Sequence, residues 1–169
     1  PFLLLIFVLV SCIEGTEEDN IVFEIKPGVD TIEIGETWVD AGITLTINGV
    51  SSTDFNQSGE VNTNILGTYT IEYVYIHNNQ MVEKIYRYVD VVDQTKPVLT
   101  LNPSIDTIHL GGSWIDEGVT VTDNSGEILT YTVSNELNIN QIGFYEVTYR
   151  AEDSSGNFQE IVRIVSVIE

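Results

Sequence analysis

The sequence predicts an all-β protein: two tandem β-sandwiches behind a short apolar leader. Three observations carry that prediction. The chain repeats itself at an offset of 76 residues, apolar residues recur at every second position within each copy, and turn-forming residues separate the runs. At that offset Val29-Asp-Thr-Ile-Glu-Ile-Gly35 falls on Ile105-Asp-Thr-Ile-His-Leu-Gly111, and Trp38-Val-Asp-Ala-Gly42 falls on Trp114-Ile-Asp-Glu-Gly118. Residues 21–92 align with 97–168 without a gap, and 23 of these 72 positions are identical.

Each copy reads as strands from end to end. Residues 22–25 and 98–101 open the copies with short apolar runs. Tyr69-Thr-Ile-Glu-Tyr-Val-Tyr75 and Tyr145-Glu-Val-Thr-Tyr-Arg-Ala151 alternate with the period of a half-buried strand. The β-branched runs 85–92 and 161–168 close them. Between the runs stand Gly28, Gly35, Asn48-Gly49, Asn78-Asn79, Gly111-Gly112, Asn124-Ser-Gly126 and Ser154-Ser-Gly156, which favour turns. Past residue 12 no stretch carries a 3.6-residue apolar stripe, so short strands in units of this size predict β-sandwiches.

Composition narrows the function. The 169 residues are 43% apolar and 19% charged, which suits a globular chain. Six basic against 26 acidic residues leave a formal charge of −20, so nucleic acid and anionic lipid headgroups repel this surface and no nucleic-acid partner is expected. A single cysteine excludes an internal disulfide and a Cys-rich metal site. The chain has two histidines, His77 and His109, which do not correspond between the copies, and it has no Ser/His/Asp set, paired-His motif or phosphate-binding loop. A non-enzyme without a cofactor is therefore expected.

At the front, Phe2-Leu-Leu-Leu-Ile-Phe-Val-Leu-Val10 is an unbroken apolar run. As a helix it rises roughly 15 Å, about half a bilayer core, which is the length of a signal-peptide h-region rather than of a span. Leu9-Val-Ser-Cys12 follows it and resembles the lipobox of bacterial lipoproteins. That resemblance implies cleavage before Cys12 and lipidation of its thiol and of the new amino terminus. Two or three acyl chains anchor stably where one holds only marginally. Residues 1–11 are thus read as a lipoprotein signal peptide that lacks its start, since Pro1 is preceded by neither Met nor a basic region. Residues 12–20 are read as the lipidated cysteine and an acidic tether, and residues 21–93 and 94–169 as the two domains. The linker Asp93-Gln-Thr-Lys-Pro97 is short, and Pro97 holds Lys96 extended.

The full pattern of the second copy runs from Pro97-Val-Leu-Thr-Leu101 through Thr122-Asp-Asn-Ser-Gly126 to Ala151-Glu-Asp-Ser-Ser-Gly-Asn157. It resembles the Ig-like repeat of bacterial surface proteins, also found in some pesticidal crystal proteins. The first copy departs from it at Thr46-Ile-Asn-Gly49 and Tyr75-Ile-His-Asn-Asn-Gln80. The resemblance implies two tandem Ig-like β-sandwich domains and says less about activity. Within that fold Tyr69 and Tyr145 stand where a corner tyrosine bonds back to the chain, and Ile71 and Val147 stand where the inter-sheet disulfide is usually found.

Four sets of residues are candidates for function. Tyr73, Tyr75, Tyr86 and Tyr88 crowd the first copy, whereas Tyr75, Tyr86 and Tyr88 correspond to Ala151, Val162 and Ile164. An aromatic excess in one copy suits a binding face, so Tyr75, Tyr86 and Tyr88 are the candidate ligand-binding residues, although alternation puts some of the tyrosines in the core. Trp38 and Trp114 could stack on a sugar or cover the end of each sandwich, and their repetition favours the structural role. Asp116, Asp123 and Asp153 could meet on the turns of the second copy and bind calcium, but turn aspartates that cap backbone are commoner, and no metal site is assigned. Arg87 and Arg163, set among apolar residues, are expected to pair with a cross-strand acid. The expected protein is a monomeric bacterial lipoprotein of the cell envelope, facing the extracellular or periplasmic side. Its partners are the membrane, through the lipid, and an extracellular protein or glycan bound in an adhesion role. The alternative is a passive spacer with no ligand of its own.

Overall fold

In the computed structural model, residues 19–77 and 80–169 are described. The leader, Cys12 and most of the tether lie outside them. Among the described residues there is no helix. The first copy contains β1 (Ile21–Ile25), β2 (Thr31–Glu33), β3 (Ile43–Ile47), β4 (Val50–Ser51), β5 (Phe55–Ser58), β6 (Gly67–His77) and β7 (Gln80–Val92). The second contains β8 (Val98–Leu101), β9 (Thr107–His109), β10 (Val119–Thr122), β11 (Tyr131–Asn135), β12 (Gly143–Glu152) and β13 (Phe158–Ile168). The fold is all-β, with two Ig-like domains.

The two copies share one topology, except that β4 has no counterpart among the described strands of the second. One sheet of the first copy has the order β1-β3-β4, and the other β2-β7-β6-β5. The second copy has β8-β10 and β9-β13-β12-β11. In both, one short strand runs parallel to the long closing strand: Ile32 pairs with Val91, and Ile108 with Val167. By contacts, the described residues fall into two compact units, one of 19–30, 38–61 and 68–89, the other of 31–37, 62–67 and 90–169.

Alternation places the cores. In β6 the buried positions are Ile71, Tyr73 and Tyr75, and in β12 they are Val147, Tyr149 and Ala151. Phe23, Ile43 and Leu45 cover the first set, and Leu99, Val119 and Val165 the second. Ile71 and Val147 pack as apolar residues where an Ig domain usually carries its disulfide. The Tyr145 hydroxyl donates to the Gln141 carbonyl at 2.8 Å, the corner bond expected from Gly-x-Tyr.

Candidate functional site

At the heart of each copy lies a buried arginine. Arg87, 2% exposed, donates from Nη1 to both Asp30 oxygens at 2.7 and 2.9 Å, and from Nη2 to the carbonyls of Lys26 and Gly42 at 2.5 and 3.0 Å. Arg163, 3% exposed, donates to Asp106 at 3.0 and 3.2 Å and to the carbonyls of Asn102 and Gly118 at 2.7 and 3.1 Å. These Nη partners correspond one for one at an offset of 76, and only Nε differs: Arg87 Nε stands 3.2 Å from Asp40, whereas Arg163 Nε donates to the Tyr149 hydroxyl at 3.2 Å. The acids differ from the expected cross-strand pairing. Asp30 and Asp106 sit on the loops just ahead of β2 and β9, because a buried guanidinium presents five donors and needs loop carbonyls as well as a carboxylate.

A second acid completes each network. The Tyr73 hydroxyl donates to Asp40, and the Tyr149 hydroxyl donates to Asp116 at 2.5 Å. Asp40 and Asp116 also accept the Gly42 and Gly118 N–H groups, each at 2.8 Å. These glycines have φ of +73° and +67°, so Asp-x-Gly makes a side-chain-closed turn that aims its carboxylate at the tyrosine. Burial and the carboxylate bond push both tyrosines up to about 12. The tryptophans brace the same corner: Trp38 Nε1 donates to the Val29 carbonyl at 2.9 Å, and Trp114 Nε1 meets Asp106 at 3.4 Å. Both rings pack against their cores, and Trp114 also lines an open cleft of about 300 Å³ with Ser104, Ile105 and Glu117.

The candidate tyrosines divide. Tyr75 is 1% exposed, its ring 6.1 Å from that of Phe23, so it belongs to the core and not to a binding face. The reason is parity: Tyr75 shares the inward face of β6 with Ile71 and Tyr73. Tyr86 and Tyr88 lie on the outer face of β7, 42% and 59% exposed, with ring centroids 6.4 Å apart. Lys84 flanks them, 6.0 Å from the Tyr86 ring and paired with Glu72 at 2.9 Å, and Val82 extends the same face. In the second copy the matching positions are Val162 and Ile164, also exposed but aliphatic.

The acidic candidates regroup. Asp116 is committed to Tyr149 and Gly118, whereas Asp123 and Asp153 meet Asp93. Ligand atoms of these three carboxylates lie within 4.8 Å of one another. Each residue is the first beyond a strand end, of β7, β10 and β12 in turn. Asp93 accepts the Thr95 N–H at 3.2 Å, Asp123 accepts the Ser125 N–H and hydroxyl at 2.9 and 2.6 Å, and Asp153 accepts from Asn157 at 2.8 and 2.9 Å. Burial raises the pKa of Asp93, and the charges of Asp123 and Asp153 raise it further. Sequence reading missed Asp93 because it lies in the linker; its only signal was an acid directly after the closing run of the first copy, two residues before Thr95 and four before Pro97.

Two sheets in each copy, with a corner tyrosine bonded back to the chain in the second, suit Ig-like sandwich domains. Residues 29–91 and 100–167 each match the family described as bacterial surface protein, Ig-like domain, and the chain belongs to that family. No curated protein matches the chain.

Proposed function

We propose that this chain is a non-catalytic bacterial surface lipoprotein, held by lipid on Cys12, whose first domain binds an extracellular protein or glycan. Membership in a family of bacterial surface proteins supports the location. The leader and the lipobox-like Leu9-Val-Ser-Cys12 support the anchor. The observation that carries the binding role is the exposed Tyr86–Tyr88 pair, two rigid amphipathic rings side by side on one strand face. Such rings supply large contact area at low conformational cost and carry a hydroxyl for directional bonds. The rings contribute little to the fold where they are, since the inner face of β7 is formed by Arg87, Val89 and Val91.

Arrays of matrix proteins and glycans, probed with the detergent-solubilised full chain, test the reading. Retention on one partner class, lost in the double variant Tyr86→Ser/Tyr88→Ser with melting unchanged, is expected. Absence of any retention, or retention unaffected by the double variant, defeats it and leaves the spacer role. Cys12→Ser should move the protein from the membrane to the aqueous fraction, and persistence in the membrane defeats the anchor.

A further inference from the structure

We propose that Asp93, Asp123 and Asp153 form a calcium site in the second compact unit. Acidic clusters are common on a surface this negative, so proximity alone proves nothing. What sets this cluster apart is burial without counter-charge. Asp93 and Asp153 are 7% and 6% exposed, and Asp123 is half-buried. Asp93 Oδ2 and Asp123 Oδ2 are buried side-chain oxygens with no hydrogen-bond partner. Among the described residues no lysine, arginine or histidine forms an ion pair with any of the three. Buried carboxylate oxygens left unpaired in a native fold call for a cation or an ordered donor, because the desolvation they suffer is otherwise uncompensated.

The spacing and the all-oxygen donor set suit calcium. Calcium binds oxygen at about 2.3–2.6 Å, so two ligands on opposite sides of one ion stand roughly 4.6–5.2 Å apart. Ligand atoms that all lie within 4.8 Å of one another fit inside such a shell. Magnesium holds its ligands at about 2.0–2.1 Å and keeps most of its waters, so a cluster of this width suits it less. Zinc and copper favour nitrogen and sulfur, and this cluster offers only oxygen. The two loops that deliver Asp123 and Asp153 are alike: Asp123-Asn-Ser-Gly126 and Asp153-Ser-Ser-Gly156 both close with a glycine at positive φ, +73° and +87°. Each bonds the glycine N–H to the aspartate carbonyl, at 3.3 and 3.2 Å. The first copy has Ile47 and His77 at the corresponding positions, so the site is particular to the second copy.

The test uses the full chain in detergent, stripped with EGTA and titrated with calcium chloride in a calorimeter. One ion per chain is expected, with Kd on the order of 0.1–1 mM, as for other extracellular calcium modules. The melting temperature should rise with calcium and return with EGTA. Asp123→Asn keeps an acceptor for Ser125 while replacing the free oxygen with an amide, and it should abolish the calcium heat. Asp93→Asn, the second variant, should do the same, and without calcium both should melt no lower than the parent. Glu136→Gln, at an exposed position, should retain binding. The proposal fails if the parent shows no saturable uptake at calcium about tenfold above that range. It also fails if magnesium gives the same melting shift, or if folded Asp93→Asn and Asp123→Asn bind calcium as the parent does. None of these readouts depends on Tyr86 or Tyr88, so this proposal and the binding face stand or fall separately.

Discussion

In the first copy Arg87 is held by Asp30, and Tyr73 by Asp40; in the second, Arg163 is held by Asp106, and Tyr149 by Asp116. Away from those corners the copies part. Tyr75 and Phe23 fill the core where Ala151 and Leu99 stand in the second copy. Tyr86 and Tyr88 replace aliphatics on the outer face, and Asp123 and Asp153 replace Ile47 and His77 at the loop tips. The corner residues are interlocked, so losing one strands several buried polar groups. A residue on an outer face or loop tip touches few others, so it can change with little cost to the fold and acquire a role of its own.

Each copy holds one tryptophan, so Trp38→Phe and Trp114→Phe backgrounds let urea unfolding be followed one copy at a time. The largest effect is expected from Arg87→Met and Arg163→Met, each lowering the stability of its own copy by about 4 kcal/mol, because a partly exposed carboxylate and two loop carbonyls lose their shared donor at once. Near-equal losses sharpen the equivalence of the corners, whereas a difference above about 1 kcal/mol breaks it. Next comes Tyr75→Ala, which should cost the first copy about 3 kcal/mol by opening a cavity. Its mirror, Ala151→Tyr, should cost the second about 1–3 kcal/mol by overpacking, and a neutral result there would show that the two cores do not differ in shape.

The smallest effect is alkaline. Tyr73 and Tyr149 titrate at about 12 in the fold, above the ordinary value of 10.0 that applies when unfolded. The folded state therefore holds its protons longer, so this stabilisation is complete below pH 10 and is lost as pH rises from 10 to 12. Unfolding midpoints measured across that window should fall in both copies. Tyr73→Phe and Tyr149→Phe should each flatten the fall in their own copy only.

Part of this was legible in advance. The repeat, the alternation in β6 and β12 and the Gly-x-Tyr corner are local or periodic signals, and the structure follows them. Tyr75 shows a signal that was present but outweighed. Its parity with Ile71 and Tyr73 pointed inward, while the aromatic excess of the first copy drew it into the candidate face. Tyr86 and Tyr88 have the opposite parity to Arg87 and Val89, and they do lie outside. The acid partners of the arginines were not legible as loop residues, because strand periodicity carries no information about how a loop folds back over a strand.

The sequence by itself determined that this chain is a duplicated all-β unit of the Ig-like kind, since side-chain period and turn chemistry act over a few residues. Only the tertiary structure decided which carboxylates meet. Asp116 is drawn to Tyr149 by its own tight turn, and Asp93 joins Asp123 and Asp153 because three strands end at one place. Charges separated along the chain interact through space, and that distance exists only once the sheets have paired.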